Sequence, residues 1–93
     1  ELMRGMEHGW RRFKFFPAES SGGIGALKGF GGPLPMARFC PTGGIDAAKA
    51  PAYLALANVA CVGGSWMVAA DAVKAGDWAR IGALAAEAAS LKR

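Results

Sequence analysis

Ala37-Arg38-Phe39-Cys40-Pro41-Thr42-Gly43-Gly44-Ile45-Asp46 runs from an apolar strand into a double-glycine turn and then into a helix cap. The strand, Ala37–Cys40, is stopped by Pro41-Thr42-Gly43-Gly44. Asp46 caps a helix over Asp46–Lys49, which Pro51–Leu56 continues. The same order recurs on both sides. Upstream, Trp10–Phe16 is aromatic, alternates as a strand does, and stops at Pro17. A glycine-serine turn at Ser20–Gly25 leads into a short helix over Ile24–Phe30, broken by Gly31-Gly32-Pro33-Leu34-Pro35. Downstream, Val59–Val62 is a third strand ending in Gly63-Gly64-Ser65. A helical segment near Trp66–Ala75 follows and ends at Gly76. Asp77 then caps a helix over Trp78–Leu91, in which Trp78, Ile81, Leu84, Ala85 and Ala88 recur at helical spacing. A first helix, Glu1–His8, ends at Gly9. Strands alternating with helices predict an α/β fold of parallel strands joined by right-handed crossovers.

At 93 residues the chain is one domain at most. Its composition, 53% hydrophobic and 19% charged, is that of a globular chain and excludes disorder. Each strand–helix unit is short enough for a barrel. A closed eight-stranded barrel needs about 250 residues, or roughly 200 in compact versions, so three units are less than half of one. Three parallel strands alone leave two open edges. The N-terminus, Glu1-Leu2-Met3-Arg4, is neither a signal peptide nor an initiator methionine, and reads as mid-helix. The expectation is a piece of something longer.

Eleven basic and seven acidic residues give a net charge of +4. Only Arg11, Arg12 and Lys14 cluster, and Phe13 interrupts them. Lys28, Arg38, Lys49, Lys74, Arg80, Lys92 and Arg93 are scattered. That placement fits a solvated surface and no nucleic-acid partner. Ala50–Ala70 carries no charge and is long enough to raise the question of a membrane span. Pro51, Asn58 and Gly63-Gly64-Ser65 interrupt it, so no membrane partner is expected. Cys40 and Cys61 lack a paired Cys-x-x-Cys spacing, and His8 is the one histidine. A structural zinc needs about four such ligands, so no metal is expected. Both cysteines fall in apolar runs and read as buried thiols of a reducing, cytoplasmic compartment.

Functional groups of alternating α/β folds gather at the C-terminal ends of strands. In Phe13-Lys14-Phe15-Phe16-Pro17, alternation puts Lys14 and Phe16 on one face, and Phe13 and Phe15 on the other. If the Lys14 face is interior, the apolar wall and the nearby Arg12 cation favour a neutral amine, a nucleophile toward ketones and aldehydes. A snorkelling edge-strand lysine is the competing reading. Pro41-Thr42-Gly43-Gly44-Ile45 and Gly63-Gly64-Ser65-Trp66 each pair two glycines with a hydroxyl and open into a helical segment. Glycines let backbone amides approach a ligand, and helix N-termini favour anions, so the pair suggests a phosphate site. Tight strand-to-helix turns would use the same glycines. His8 reads as exposed or capping, Glu19 as a cap or polar rim, and Trp66 and Trp78 as packing groups. There is no Ser/His/Asp arrangement and no dinucleotide fingerprint, and no cofactor is expected.

Phe13-Lys14-Phe15-Phe16-Pro17-Ala18-Glu19, Arg38-Phe39-Cys40-Pro41-Thr42-Gly43-Gly44-Ile45 and Gly63-Gly64-Ser65-Trp66 together closely resemble the 2-keto-3-deoxy-6-phosphogluconate (KDPG) aldolase family. The resemblance implies a cytoplasmic, homotrimeric TIM (β/α)8 barrel enzyme, with residues 1–93 as its C-terminal portion, strands six to eight. It implies Lys14 as the Schiff-base lysine. Gly43, Gly44, Gly64 and Ser65 would hold the phosphate of a phosphorylated 2-keto sugar acid, Thr42 would line the pocket, and Phe16 would shape its apolar wall. The family's proton-transferring glutamate, carboxylate-binding arginine and a pocket threonine come from N-terminal strands and match no position here. The N-terminal part of the same barrel is thus an implied partner, and the chain by itself is expected to be nearly inactive. The alternative is a non-catalytic phosphate-binding half-barrel serving as an assembly module.

Overall fold

Two short parallel strands, β1 (Arg12–Phe15) and β2 (Arg38–Pro41), pair in register from Arg12 with Arg38 to Phe15 with Pro41. The computed structural model describes residues 1–91; Lys92 and Arg93, two of the scattered basic residues, lie outside the described residues. Strand alternation sorts the side chains onto two faces. Phe13, Phe15, Phe39 and Pro41 are the more buried set, while Arg12, Lys14 and Arg38 are exposed. Phe39 is 1% exposed and sits 5.7 Å from Phe30 and 6.1 Å from Phe13, ring centre to ring centre. Phe15 meets Phe30 edge-on at 6.0 Å, a favoured aromatic geometry. Phe30 belongs to helix α2 (Gly23–Gly31), which also buries Leu27. Helix α1 (Leu2–Glu7) precedes β1. With Ala18, Ile45, Ala50, Tyr53 and Val59, these residues build the core.

The third strand predicted over Val59–Val62 is not a regular one. The segment does lie along the free edge of β2. Phe39 N–H donates to the Asn58 carbonyl at 2.8 Å, Ala60 N–H to that of Phe39 at 2.9 Å, and Gly63 N–H to that of Pro41 at 2.9 Å. These bonds make two isolated parallel bridges, Phe39 with Val59 and Thr42 with Gly63. Between them β2 advances three positions and its neighbour four. The extra residue is a bulge, and it breaks the ladder.

Other boundaries shift for local reasons. Residues 47–49 form a turn, and helix α3 (Ala50–Leu54) begins only with Pro51 in its first positions. Asp46 still caps the turn, its Oδ1 accepting from Lys49 N–H at 2.9 Å. Helix α4 (Ala70–Ala75) starts later than expected because Val68 N–H closes a turn onto the Ser65 carbonyl. Helix α5 (Trp78–Ala89) follows, with Asp77 Oδ1 accepting from Arg80 N–H at 3.1 Å as the cap motif predicts. Its apolar stripe is only partly covered. Ile81, Leu84 and Ala88 are half-buried, and Trp78, expected to pack, is 67% exposed. The cysteines also depart from expectation. Cys40 is half-buried and Cys61 exposed, because both border the face that the helices do not cover. Ala50–Ala70 divides among α3, the bulged segment and a loop. Among the described residues no helix is long and apolar enough to cross a membrane.

Candidate functional site at the strand ends

Alternation along β1 leaves the Lys14 side chain on the uncovered face, where its Nζ lies 5.1 Å from the centre of the Phe16 ring. Both line a concavity of about 450 Å³, walled by Trp10, Phe13 and Phe30. Phe16 also borders a second concavity of about 310 Å³, lined by Thr42, Gly43, Gly44, Gly64 and Ser65. The Phe16 ring therefore lies between the lysine and the two glycine loops, with Lys14 on one side and Thr42, Gly43, Gly44, Gly64 and Ser65 on the other.

The first loop is shaped by where its carbonyls go. Thr42 O accepts from Ala18 N–H at 2.8 Å, and Gly43 O accepts from Glu19 N–H at 3.2 Å. Gly44 O accepts from Lys49 Nζ at 3.4 Å. In a trans peptide the N–H points opposite to the C=O. The amides of Gly43, Gly44 and Ile45 consequently point away from this backing, that of Gly43 toward the segment that bridges Thr42 at Gly63. Successive amides turned to one side make an anion-binding nest. Gly43 and Gly44 have φ of +106° and +75°, the left-handed region that favours glycine.

The second loop is drawn against the first. Gly63 stands so close to Thr42 that a Cβ there would lie 2.6 Å from Thr42 Oγ1. A Cβ on Gly64 would strike the Trp66 ring and approach the Ile45 carbonyl to 3.2 Å. Trp66, half-buried, packs as the sequence suggests.

Behind the first loop lies a polar cluster. Tyr53, 1% exposed, donates its hydroxyl hydrogen to Glu19 Oε2. Lys49 Nζ sits 3.0 Å from Glu19 Oε1. The Tyr53 hydrogen bond, and then the Lys49 ammonium, hold the Glu19 carboxyl below its ordinary range. Glu19 in turn raises Lys49. Burial, reinforced by Glu19, pushes the Tyr53 hydroxyl up to about 12. The sequence marks Glu19 as a cap or polar rim and leaves Tyr53 and Lys49 unmarked, because Tyr53 meets Glu19 across 34 positions and Lys49 meets it only through the folded loop. His8 is exposed, its ring centre 5.9 Å from that of Trp10. Among the described residues no three His, Cys, Asp or Glu side chains converge as metal ligands would.

A parallel α/β sheet that gathers a lysine and two glycine loops toward the same strand ends defines an α/β protein with its polar groups where such folds carry them. Residues 1–84 match the model of the family described as "Aldolase: KDPG and KHG aldolase", and the chain belongs to that family. It is 59% identical over 88 residues to the 2-dehydro-3-deoxy-phosphogluconate aldolase of Dickeya dadantii, matching 95% of this chain and 41% of that protein. The crystal structure of the 2-keto-3-deoxy-6-phospho-gluconate aldolase of Zymomonas mobilis superimposes with a TM-score of 0.90 at 51% identity, over 99% of this chain and 43% of that one. The KDPG aldolase of Legionella pneumophila, with pyruvate captured as a covalent carbinolamine intermediate, matches with a TM-score of 0.86 at 51% identity, over 89% of this chain and 40% of that one. The chain spans about two fifths of the length of these relatives.

Proposed function

We propose that residues 1–93 are the last three strand–helix units of a (β/α)8 barrel. The whole protein is then a class I aldolase that cleaves 2-dehydro-3-deoxy-6-phosphogluconate to pyruvate and glyceraldehyde 3-phosphate, and that also accepts 4-hydroxy-2-oxoglutarate. The observation that carries this reading is Phe16, shared between the Lys14 concavity and the concavity of the glycine loops. It borders the primary amine on one side and the glycine loops on the other. The Legionella relative, captured with pyruvate as a covalent carbinolamine, supports the same chemistry.

Lys14 Nζ adds to the C2 ketone of the substrate, and loss of water from the carbinolamine leaves an imine. Breaking the C3–C4 bond sends its electron pair into the imine as an enamine. The C4 hydroxyl loses its proton to a base and becomes the aldehyde of glyceraldehyde 3-phosphate. Protonation of the enamine at C3 and hydrolysis of the imine release pyruvate and free the amine. The amides of Gly43, Gly44 and Gly64, with the Ser65 hydroxyl, hold the phosphate; Thr42 lines the pocket between. The base and the carboxylate-binding arginine come from the N-terminal part of the barrel. The complete protein works as a cytoplasmic homotrimer, with no metal or cofactor.

The test is to incubate the full-length protein with pyruvate and borohydride and map the adduct. Irreversible labelling at Lys14, lost in Lys14→Arg because a guanidinium stays protonated, supports the assignment. Equal labelling of both proteins, or an adduct on Lys28 or Lys49, refutes it.

A further inference from the structure

Glu19 lies outside both concavities, yet it touches the glycine loop at every level. Its N–H donates to the Gly43 carbonyl, and a Cβ on Gly44 would meet its Cγ at 2.8 Å. Its carboxylate is held from two sides, by the buried Tyr53 hydroxyl and by Lys49, and Lys49 also donates to the Gly44 carbonyl. Asp46 Oδ1 accepts the Lys49 N–H and so anchors the turn that carries the lysine. The chain of contacts runs from a core tyrosine to two consecutive peptide units and sets the direction of their N–H groups.

We propose that Glu19, clamped by Tyr53 and Lys49, is a positioning residue for phosphate recognition: it locks the Gly43–Gly44 and Gly44–Ile45 peptides with the Gly44 and Ile45 amides facing the substrate's phosphate. The proposal rests on reading the glycine-loop concavity as the phosphate site. Left-handed glycines have the widest backbone freedom of any residue, so an amide nest built on two of them is poorly preorganised by itself. A loop that must be ordered on binding loses affinity by the cost of ordering. The clamp removes that cost beforehand. It acts only on the part of the substrate that carries phosphate, since Lys14 stands on the other side of Phe16.

The experiment compares full-length protein with its Glu19→Ala, Glu19→Gln and Tyr53→Phe variants. Each is measured for cleavage of the phosphorylated keto acid, for cleavage of unphosphorylated 4-hydroxy-2-oxoglutarate, and for binding of inorganic phosphate by calorimetry. Losing a charge-assisted hydrogen-bond clamp predicts that Glu19→Ala raises KM for the phosphorylated substrate and Kd for phosphate about tenfold. The loss on the unphosphorylated substrate is several-fold smaller. Glu19→Gln, which keeps an acceptor for Tyr53 but no charge for Lys49, falls between. Tyr53→Phe keeps the core ring and shifts the same two constants in the same direction. Equal losses on both substrates, or a phosphate Kd unmoved in Tyr53→Phe, overturn the proposal. Borohydride labelling of Lys14 with pyruvate runs in parallel. If labelling succeeds and the phosphate constants do not move, the clamp alone fails. If labelling fails in the unsubstituted protein, the aldolase reading fails, and the calorimetric phosphate Kd still decides the clamp.

Discussion

The Nζ of Lys14, on β1, lies 5.1 Å from the centre of the ring of Phe16, two positions on and just past the strand's end. A cation over an exposed aromatic face gains about 0.5–1 kcal/mol, which holds the Lys14 side chain against the ring. Phe16→Leu keeps the apolar wall and removes the quadrupole. Its expected effect is about a two- to fivefold higher rate of imine formation with pyruvate in the full-length protein, because the side chain no longer has that contact to give up before it attacks the ketone as an amine. Borohydride trapping at timed intervals reads it. An unchanged rate shows that the ring packs and does nothing more.

Gly43→Ala should cost more than an ordinary surface substitution. Its φ of +106° is unfavourable for alanine, and the new Cβ would sit 3.0 Å from Pro17 Cα and 3.2 Å from the Ala18 nitrogen. Backbone in such a region costs roughly 1–3 kcal/mol. Denaturant unfolding of the full-length protein should show a loss of that size, with weaker phosphate binding alongside.

Phosphate or sulfate should bind where the nest points. A crystal structure of the full-length protein grown in phosphate is expected to show the anion within about 2.7–3.2 Å of the Gly43 and Gly44 amides, with Gly64 and Ser65 on its other side. Amides turned away from an anion placed elsewhere would contradict the assignment.

The Glu19 cluster predicts a stability profile bounded on both sides. Glu19 is depressed below its ordinary 4.5, so its contribution is present above that value and is lost as the pH falls through the lower folded-state value. Tyr53 is raised from 10.0 to about 12. Between those values the unfolded chain loses a proton that the folded one keeps, so stability falls by about 1.4 kcal/mol per pH unit. Lys49, raised above 10.5, adds to the same alkaline loss. Denaturant unfolding from pH 3 to 11 tests both limbs. Glu19→Gln should flatten the acid limb, and Tyr53→Phe should leave only the Lys49 part of the alkaline one.

A 93-residue protein made of this chain alone should turn over little or no substrate. Positioned proton transfer contributes about 10²–10⁴ in rate, and the proposed base lies on strands outside these residues. The Lys14 face is also open to water, and an uncovered strand edge seeks a partner. A coupled assay for pyruvate release, with size-exclusion chromatography, checks both. Adding the remaining strands in trans should restore activity. Full turnover from a monodisperse sample of the short chain would contradict the barrel reading.

Local patterning made much of this molecule legible. Alternation in Phe13–Phe16 put Lys14 and Phe16 on one face, and the structure stacks them. Asp77 announced the start of α5, because a cap acts within three residues. The paired glycine loops were visible as turn chemistry, and family resemblance lay in the same short stretches. Tertiary structure alone decided the rest. Whether Val59–Val62 forms a ladder depends on a register with β2, and one extra residue between two bridges breaks it. How far the apolar stripe of α5 is covered depends on what packs against it, and among the described residues it is half-covered. The Glu19–Tyr53 bond joins α3 to the turn after β1, and no periodicity encodes a contact between a carboxylate and a hydroxyl that only chain folding brings together. Sequence sets the conformations that neighbouring residues impose on one another over a few bonds. The direction of the Gly44 and Ile45 amides is set instead by Glu19 and Lys49, which hold the Gly43 and Gly44 carbonyls and meet the loop only once the strands have paired.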